Sequence, residues 1–478
     1  MRQMKTSLLL IEPPRIFWFV MGEYLAPPSS LLILAAYIER ELPNVDIDIV
    51  DCQADRLDWK SLQNYIESKE PSIVLTSGFT TNAYSCVKTC EIAKNVNKDI
   101  TTIVGGIHFS FTPEESLQKY PEIDYIVRGE GEQTVVNLIK TIQTKGKISN
   151  VKGISYRNNN RIVHSSPQPL IENLDTLPYP AYHLVEKNLS RYHFTMMAGR
   201  NTQYMILESA RGCDHQCSFC TQWNHWGSRW RTKSAKRIAD EIEFLHDTYG
   251  GVFLWFTDDH MRLSTRGKQL YEELRQKSCK EEIMLFFQAR IDDIAHHPEL
   301  IGKLRDVGTY WILCGVESNS PEMLLEYKKG INTQDSYQAM KVLKQNDVFS
   351  QAMFVIGGRR DTHESIEQLR QYSLDLSPDI AIYTALTPFP GTVYYETAKK
   401  NGWIEDTNYT NYDMAHAIMP TESLTRKEVQ EELWRCYKMF FGSIRRGIVG
   451  VLAKNKLKRT MYQHMAGQFV LEKFRRLI

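Results

Sequence analysis

The sequence predicts an α/β protein: a doubly wound, Rossmann-like parallel sheet, then an open or partial (β/α)6 barrel, then a helical C-terminal cap. Three observations carry this. Short apolar runs alternate with helical patterns over about the first 130 residues, a second series of six such runs begins at Tyr204, and no strand signal follows about Lys400. At 478 residues the chain has room for about three domains of roughly 150 residues each. Its 42% hydrophobic and 24% charged residues are globular values, so a miniprotein held by disulfide staples is excluded.

The first unit, assigned to residues 1–164, contains SLLLIE from Ser7, DIDIVD from Asp46, SIVLTS from Ser72, TTIVGG from Thr101 and DYIVRG from Asp124. Parallel sheets of this kind bind ligands at the carboxyl ends of their strands. Those ends hold Thr76, Ser77 and Gly78, then Gly105 and Gly106, then Gly129, Glu130 and Gly131, which read either as ligand approach or as ordinary turn chemistry. A short meander, GISYRNNNRIVHS, closes the unit with Asn158, Asn159 and Asn160 at its turn. Four prolines between Ser165 and Leu184 then mark an extended linker, residues 165–200.

The second unit, residues 201–395, repeats strand and helix six times: YMILES, VFLWFTDD, IMLFFQAR, YWILCGVES, AMFVIGG and IAIYTAL. After the first strand Ala235, Ile238, Ile242, Leu245 and Tyr249 recur at helical spacing, with Ser234 as N-cap and Gly250 and Gly251 as stop. Functional residues are expected at the carboxyl ends of these strands. Residues 396–478 read as helical and basic.

No apolar run approaches the roughly 20 residues of a membrane-spanning helix. The apolar stretch of the first fourteen residues is too short for a signal peptide and ends in two prolines, so a cytoplasmic location is expected. The net charge of +1 is uneven: from Phe440 onward the chain carries +8, and the remainder −7. That tail is either a solvated helix docked on the acidic remainder or, with Ile444, Ile448, Val449, Val451 and Leu452 among its cations, a peripheral membrane contact. Nucleic-acid binding is not expected, because its cations are not interleaved with aromatics.

Nine cysteines are too few for a disulfide framework, yet three gather in RGCDHQCSFC: Cys213, Cys217 and Cys220. Three soft thiolates within eight residues can wrap an iron-sulfur cluster, whereas a closed zinc site needs a fourth ligand that only His215 or His225 could supply locally. Cys86 and Cys90, four apart on a helix, are expected to pack.

The Cys-x3-Cys-x-aromatic-Cys pattern, with Phe219 at the aromatic position, resembles the radical S-adenosylmethionine (SAM) superfamily. The resemblance implies a [4Fe-4S] cluster on Cys213, Cys217 and Cys220, whose open iron chelates SAM for cleavage to a 5′-deoxyadenosyl radical. It also implies SAM contacts at Phe219, Asp258, Asp259, Gln288, Arg290, Glu317, Ser318 and Gly357. A zwitterionic sulfonium needs a carboxylate for its ammonium and a guanidinium for its carboxylate.

The pieces IVGGIHFSFTP, YIVRGEGE and LIENLDTLPYPA resemble a cobalamin-binding module found upstream of one branch of these enzymes. That implies corrinoid contacts at Thr76, Ser77, Gly105, Gly106, His108, Gly129, Glu130 and Gly131. The sequence departs from other such modules: Glu12, Pro13, Pro14 and Arg15 stand where an Asp-x-His-x-x-Gly would supply the lower ligand of cobalt. His108 is either a substitute or a loop histidine turned to solvent or capping a helix. The closest family resemblance, through RGCDHQCSFCTQWNHW, ADEIEFL, FVIGG, TPFPGT and AIMPTESLTRKEV, is to the anaerobic magnesium-protoporphyrin monomethyl ester oxidative cyclases.

That resemblance implies radical functionalisation of an unactivated carbon on a tetrapyrrole or lipid-like small molecule, with electrons from a flavodoxin- or ferredoxin-type donor. A radical methyltransferase using methylcobalamin is the alternative, and a corrinoid-binding regulator without turnover is a third reading. Trp223, Trp226 and Trp230 are either a platform for a flat macrocycle or packing of the cluster loop.

Overall fold

The computed structural model describes residues 6–15, 24–159, 161–194 and 202–475, without the side chains of 445 and 467–475. Its first sheet has seven strands in the order Asp46–Asp51, Ser7–Glu12, Ile73–Ser77, Thr101–Gly105, Tyr125–Val127, Ile154–Asn158 and Arg161–His164. The first five are parallel. Leu8 and Leu10 enter one buried cluster and Leu9 and Ile11 another, so strand Ser7–Glu12 is covered on both faces, as its unbroken apolar run requires. The strand order reverses between Ser7–Glu12 and Ile73–Ser77, and this switch point opens the crevice where such sheets bind ligands.

The short meander that closes the first unit extends this sheet. Strand Ile154–Asn158 pairs antiparallel with Tyr125–Val127 and forms a hairpin with Arg161–His164. Asn159 adopts a left-handed φ of 45° at its turn, and Asn160 lies outside the described residues. The linker is not wholly extended. It carries 3-10 turns at Leu174–Thr176 and Tyr182–Arg191, and the Tyr182 hydroxyl donates to Ile206 O (2.7 Å) and accepts from Ile206 N (3.0 Å), fastening it to the next sheet.

The second sheet has six parallel strands in chain order: Tyr204–Leu207, Phe253–Phe256, Met284–Gln288, Thr309–Glu317, Phe349–Ile356 and Ile380–Ala385. Among the described residues the first and last strands do not pair, which makes this the open (β/α)6 barrel expected. The last strand would leave unpaired backbone groups at its edge. The C-terminal region covers them: the Tyr437 hydroxyl accepts from Tyr383 N (3.0 Å) and donates to Tyr383 O (2.6 Å), and Met414 O accepts from Ala385 N (2.8 Å). Tyr437 lies on helix Arg426–Phe441, started by a Thr425/Glu428 capping box.

Beyond it, helices Ile444–Val451 and Lys456–Arg475 dock on the barrel rim through Arg446, which donates to Pro378 O, and Lys458, paired with Asp379. Ile444, Ile448, Val449 and Leu452 remain exposed. Among the described residues no helix is long and apolar enough to cross a membrane. A single buried cluster runs from Leu8 in the first sheet to Tyr462 in the last helix, so the units share one core.

Candidate active site

The three cysteines sit on a closed loop. Ala210–Arg211 pairs antiparallel with Arg231–Thr232 and pinches residues 212–230 at their base. Gly212 has a φ of +86°, and a Cβ there would lie 2.1 Å from Arg229 O, so the loop ends cross only with glycine at this place. Farther along, Cys217 O accepts from Cys220 N (3.1 Å) and Trp223 Nε1 (2.9 Å), while Ser218 N donates to Tyr327 O (3.0 Å). Phe219 meets Tyr327 edge-on at 5.3 Å within an apolar group that includes Met323, Val355 and Tyr394. This packing makes it a hydrophobic anchor of the loop.

None of the three cysteines is in a disulfide. Burial pushes the Cys213 thiol up and the Cys220 thiol up to about 12. A residue that sequence reasoning missed stands beside Cys217: Lys329, paired with Glu317 at 2.6 Å. Burial pushes this ammonium down, but Glu317 and Cys217 outweigh it and leave Lys329 above the usual lysine range. No sequence signal marks it, because Lys328 and Lys329 read as an ordinary turn before Gly330.

Among the described residues no three His, Cys, Asp or Glu side chains converge as they would on one metal ion. A tetrahedral zinc needs donors about 2.0–2.3 Å from a common centre, whereas a cuboidal cluster offers each thiolate its own iron. Three free thiols on one loop, with no fourth cysteine nearby in the sequence, supply the donor set of a cuboidal cluster that leaves one iron open.

The strand ends separate residues that the sequence grouped. Asp258 is fully buried, and it accepts from Ser209 N (2.7 Å), Ala210 N (2.8 Å) and Arg266 Nη2 (2.7 Å). This is a correction: its carboxylate braces the start of the cluster loop and is not open to a ligand. Asp259 does line a cavity, and burial, with Asp258 and Glu208, pushes its carboxyl up to about 7. Gln288 ends its strand, and its carbonyl accepts from Met261 N.

Arg290 pairs with Asp292 (3.0 Å) and donates to Lys329 O (2.7 Å). Glu317 takes a left-handed φ of 62° where the strand register shifts, and its pair with Lys329 lies over Gly315. Arg290 and Glu317 thus meet through Lys329. Ser318 Oγ accepts from Ser320 N in a turn. Gly357 has a φ of +81°, and a Cβ would lie 2.9 Å from Val429, so its glycine serves the turn and the packing of helix Arg426–Phe441.

Two cavities adjoin between the sheets. One of about 260 Å³ is lined by Ser77, Gly105, Gly106, Gly129, Glu130 and Gly131 from the first unit and by Glu208, Arg211, His225, Trp226, Thr257 and Asp259 from the second. The other, of about 480 Å³, shares Ser29, Ser30, Ser77, Phe79, Gln222 and Thr257 with it and extends to Glu12, Arg15, Trp255, Phe389 and Met414. Gly106 has a φ of +91°, and its Cβ would lie 2.5 Å from Gly78 O, so the two glycine turns close together only without side chains. This bare, open-floored crevice is the right kind of cradle for a large cofactor.

Three of the corrinoid residues are placed otherwise. Thr76 points away, its hydroxyl toward Cys86 Sγ (3.5 Å). Glu130 lines the cavity, but it is paired with Arg211 (2.8 Å) and Arg231 (2.9 Å). His108 is not turned to solvent, and it lines neither cavity. It is buried beside Thr80 Oγ1 (3.3 Å) and the Tyr409 ring (4.8 Å), and burial holds it down at about 4. Nor do the three indoles share a face: Trp223 bonds Cys217 O, Trp230 bonds His260 O (3.0 Å), and Trp226 alone lines a cavity.

Glu12, at the switch point, supports a pH prediction. Burial pushes its carboxyl up to about 7, with Arg15 opposing and Asp51 adding. The stability that a neutral Glu12 confers is complete below the ordinary carboxyl range and is lost as pH rises through about 7. Glu12→Gln should therefore stabilise the cofactor-free protein by about 1–3 kcal/mol at about pH 8 and leave it unchanged at about pH 4 in thermal melts. A gain independent of pH would contradict this.

Fold and site together define a two-cofactor protein in which a doubly wound module faces a three-cysteine loop at the mouth of a parallel barrel. Residues 21–139 match the B12 binding domain and residues 207–372 the Radical SAM superfamily, so the chain is a B12-binding domain followed by a radical SAM domain. Its cofactors are cobalamin, SAM and a [4Fe-4S] cluster.

Among its relatives is an uncharacterized methyltransferase of Pyrococcus horikoshii, 29% identical over 92% of this chain and 93% of the relative. An anaerobic magnesium-protoporphyrin IX monomethyl ester cyclase of Cereibacter sphaeroides is 27% identical over 87% of this chain and 67% of its own length. The radical SAM methyltransferase TsrM of Kitasatospora setae, solved with cobalamin and a [4Fe-4S] cluster, shares the fold at a TM-score of 0.71 and 17% identity over 91% of each chain.

Proposed function

We propose that the protein is a cobalamin-dependent radical SAM methyltransferase acting on a carbon of a hydrophobic or ring-shaped small molecule. The observation that carries this reading is the pair of adjoining cavities, which opens the cobalamin-side crevice directly onto the cysteine loop. When bound, the cluster and SAM supply one-electron chemistry at an unactivated carbon, and cobalamin supplies a methyl carrier.

The chain's own residues hold and orient. Cys213, Cys217 and Cys220 ligate the cluster, with Lys329 beside Cys217. Asp259 would hold the methionyl ammonium and Arg290 the carboxylate, with Gln288 and Glu317 at the neighbouring strand ends. Ser77, Gly105, Gly106, Gly129 and Gly131 bring backbone close to the corrinoid. Phe79, Trp255, Phe389 and Met414 give the second cavity an apolar wall that excludes water from the reacting carbon.

Oxidative cyclisation of a tetrapyrrole is the second reading, favoured by the similarity to the cyclase over 87% of this chain. The similarity to the methyltransferase, which runs over 92% of this chain and 93% of the relative, supports methylation. Product analysis separates them: methylation yields S-adenosylhomocysteine together with 5′-deoxyadenosine, whereas cyclisation yields only deoxyadenosine and takes oxygen from water. We place the enzyme in the cytoplasm, reduced by a flavodoxin- or ferredoxin-type donor, with the exposed stripe of Ile444, Ile448, Val449 and Leu452 as its candidate lipid contact.

The cobalt is expected to lack a lower nitrogen ligand. Among the described residues no histidine of the first unit lines either cavity. Bound cob(II)alamin should give an EPR spectrum without nitrogen superhyperfine splitting. A nitrogen-split spectrum that vanishes in His108→Ala would overturn the point.

A further inference from the structure

Five charged side chains from distant parts of the chain meet beneath the cluster loop. Arg211, the second residue before Cys213, extends Nη1 to Glu130 (2.8 Å), Nη2 to Glu132 (2.6 Å) and Nε to Glu208 (2.8 Å). Arg231, Arg211's partner in the ribbon at the base of the loop, reaches Glu130 at 2.9 Å and also donates to Ile171 O. The second oxygen of Glu130 accepts from Ile171 N at 2.6 Å. Trp226 roofs both guanidinium groups at 5.6 and 5.7 Å. The first unit, the linker and the barrel are thus tied at one buried point.

Glu130 and Glu132 flank Gly131, which lines the first cavity and begins helix Gly131–Gln143. Arg211 lies at the mouth of the cysteine loop on the facing wall. A guanidinium with three acceptors on three sides fixes direction as well as charge, which an ammonium on a flexible stem does not. Buried ion groups add little net stability over apolar packing, and their best-attested use is to specify one arrangement.

We propose that Arg211 is a positioning residue that sets the register between the cysteine loop and the cobalamin-side turn at Gly129–Gly131, and so the separation of cluster and cobalt. The inference rests on the two-cofactor reading, and the test distinguishes the two. Wild-type protein reconstituted anaerobically with iron, sulfide and hydroxocobalamin is assayed for iron and corrinoid content; absence of either overturns the reading itself.

The loaded protein is then reduced so that cluster and cob(II)alamin are both paramagnetic, and their dipolar interaction is read by pulsed EPR. Arg211→Lys keeps the charge and loses the three-way fork. It should retain iron and corrinoid while its dipolar spectrum broadens and shifts from that of the wild type. Glu132→Gln, which removes one arm with little change of shape, should give a smaller shift in the same direction and serves where Arg211→Lys binds cofactor poorly. A dipolar spectrum identical to wild type in a fully loaded variant of either kind overturns the proposal.

Discussion

Cys217→Ala is expected to abolish 5′-deoxyadenosine formation, to the background of protein-free controls. The backbone of Cys217 already has its partners, since its carbonyl accepts from Cys220 N and the Trp223 indole. Truncating the side chain therefore leaves the loop's hydrogen bonds in place, and the loss falls on the sulfur. Two thiolates do not hold a cuboidal cluster that leaves one iron open, so anaerobic reconstitution should fall from about four iron per chain to a substoichiometric level.

Cys86→Ala is the matched control. That cysteine is buried in the first unit beside Thr76, and its loss should cost packing without changing iron content. Stoichiometric zinc with no iron in the wild type, or an unchanged deoxyadenosine yield in Cys217→Ala, would refute the assignment of the loop.

The second large effect is on stability. Arg266 is buried with Asp258, and its Nη2 lies 2.7 Å from that carboxylate. Arg266→Met leaves Asp258 without its cation in the interior, a change that typically costs about 3–5 kcal/mol. The melting temperature should fall accordingly. Iron incorporation should fall with it, because Asp258 also holds Ser209 N and Ala210 N just ahead of the cysteine loop. Replacing both partners by apolar residues, Asp258→Leu with Arg266→Met, should recover much of the loss. A double variant no more stable than Arg266→Met would show that the backbone bonds of Asp258, rather than its charge, carry the effect.

The adjacent aspartates show where sequence reading stops. Asp258 and Asp259 follow the strand that ends at Phe256, and pattern alone does not say which of the two reaches the cavity. The fold answers through Arg266, which brings its guanidinium under Asp258 and leaves Asp259 on the cavity wall. His108 follows the same logic: in the sequence it stands beside two glycines at a strand end, and only the packing of Tyr409 from the far end of the chain buries it.

Both parallel sheets, the doubly wound order followed by an open barrel, and the metal-ligating loop were determined by the sequence alone. These depend on local periodicity and on ligands spaced within one loop, which the chain carries wherever it folds. The hairpin's place on the first sheet, the caps on the barrel edge, Lys329 beside Cys217 and the joining of Glu130 to Arg211 were decided only by the tertiary structure. Each pairs groups far apart in the chain: the Glu130 and Arg211 side chains are 81 residues apart, and the preference of a carboxylate for one guanidinium over another exists only once burial has removed water from both.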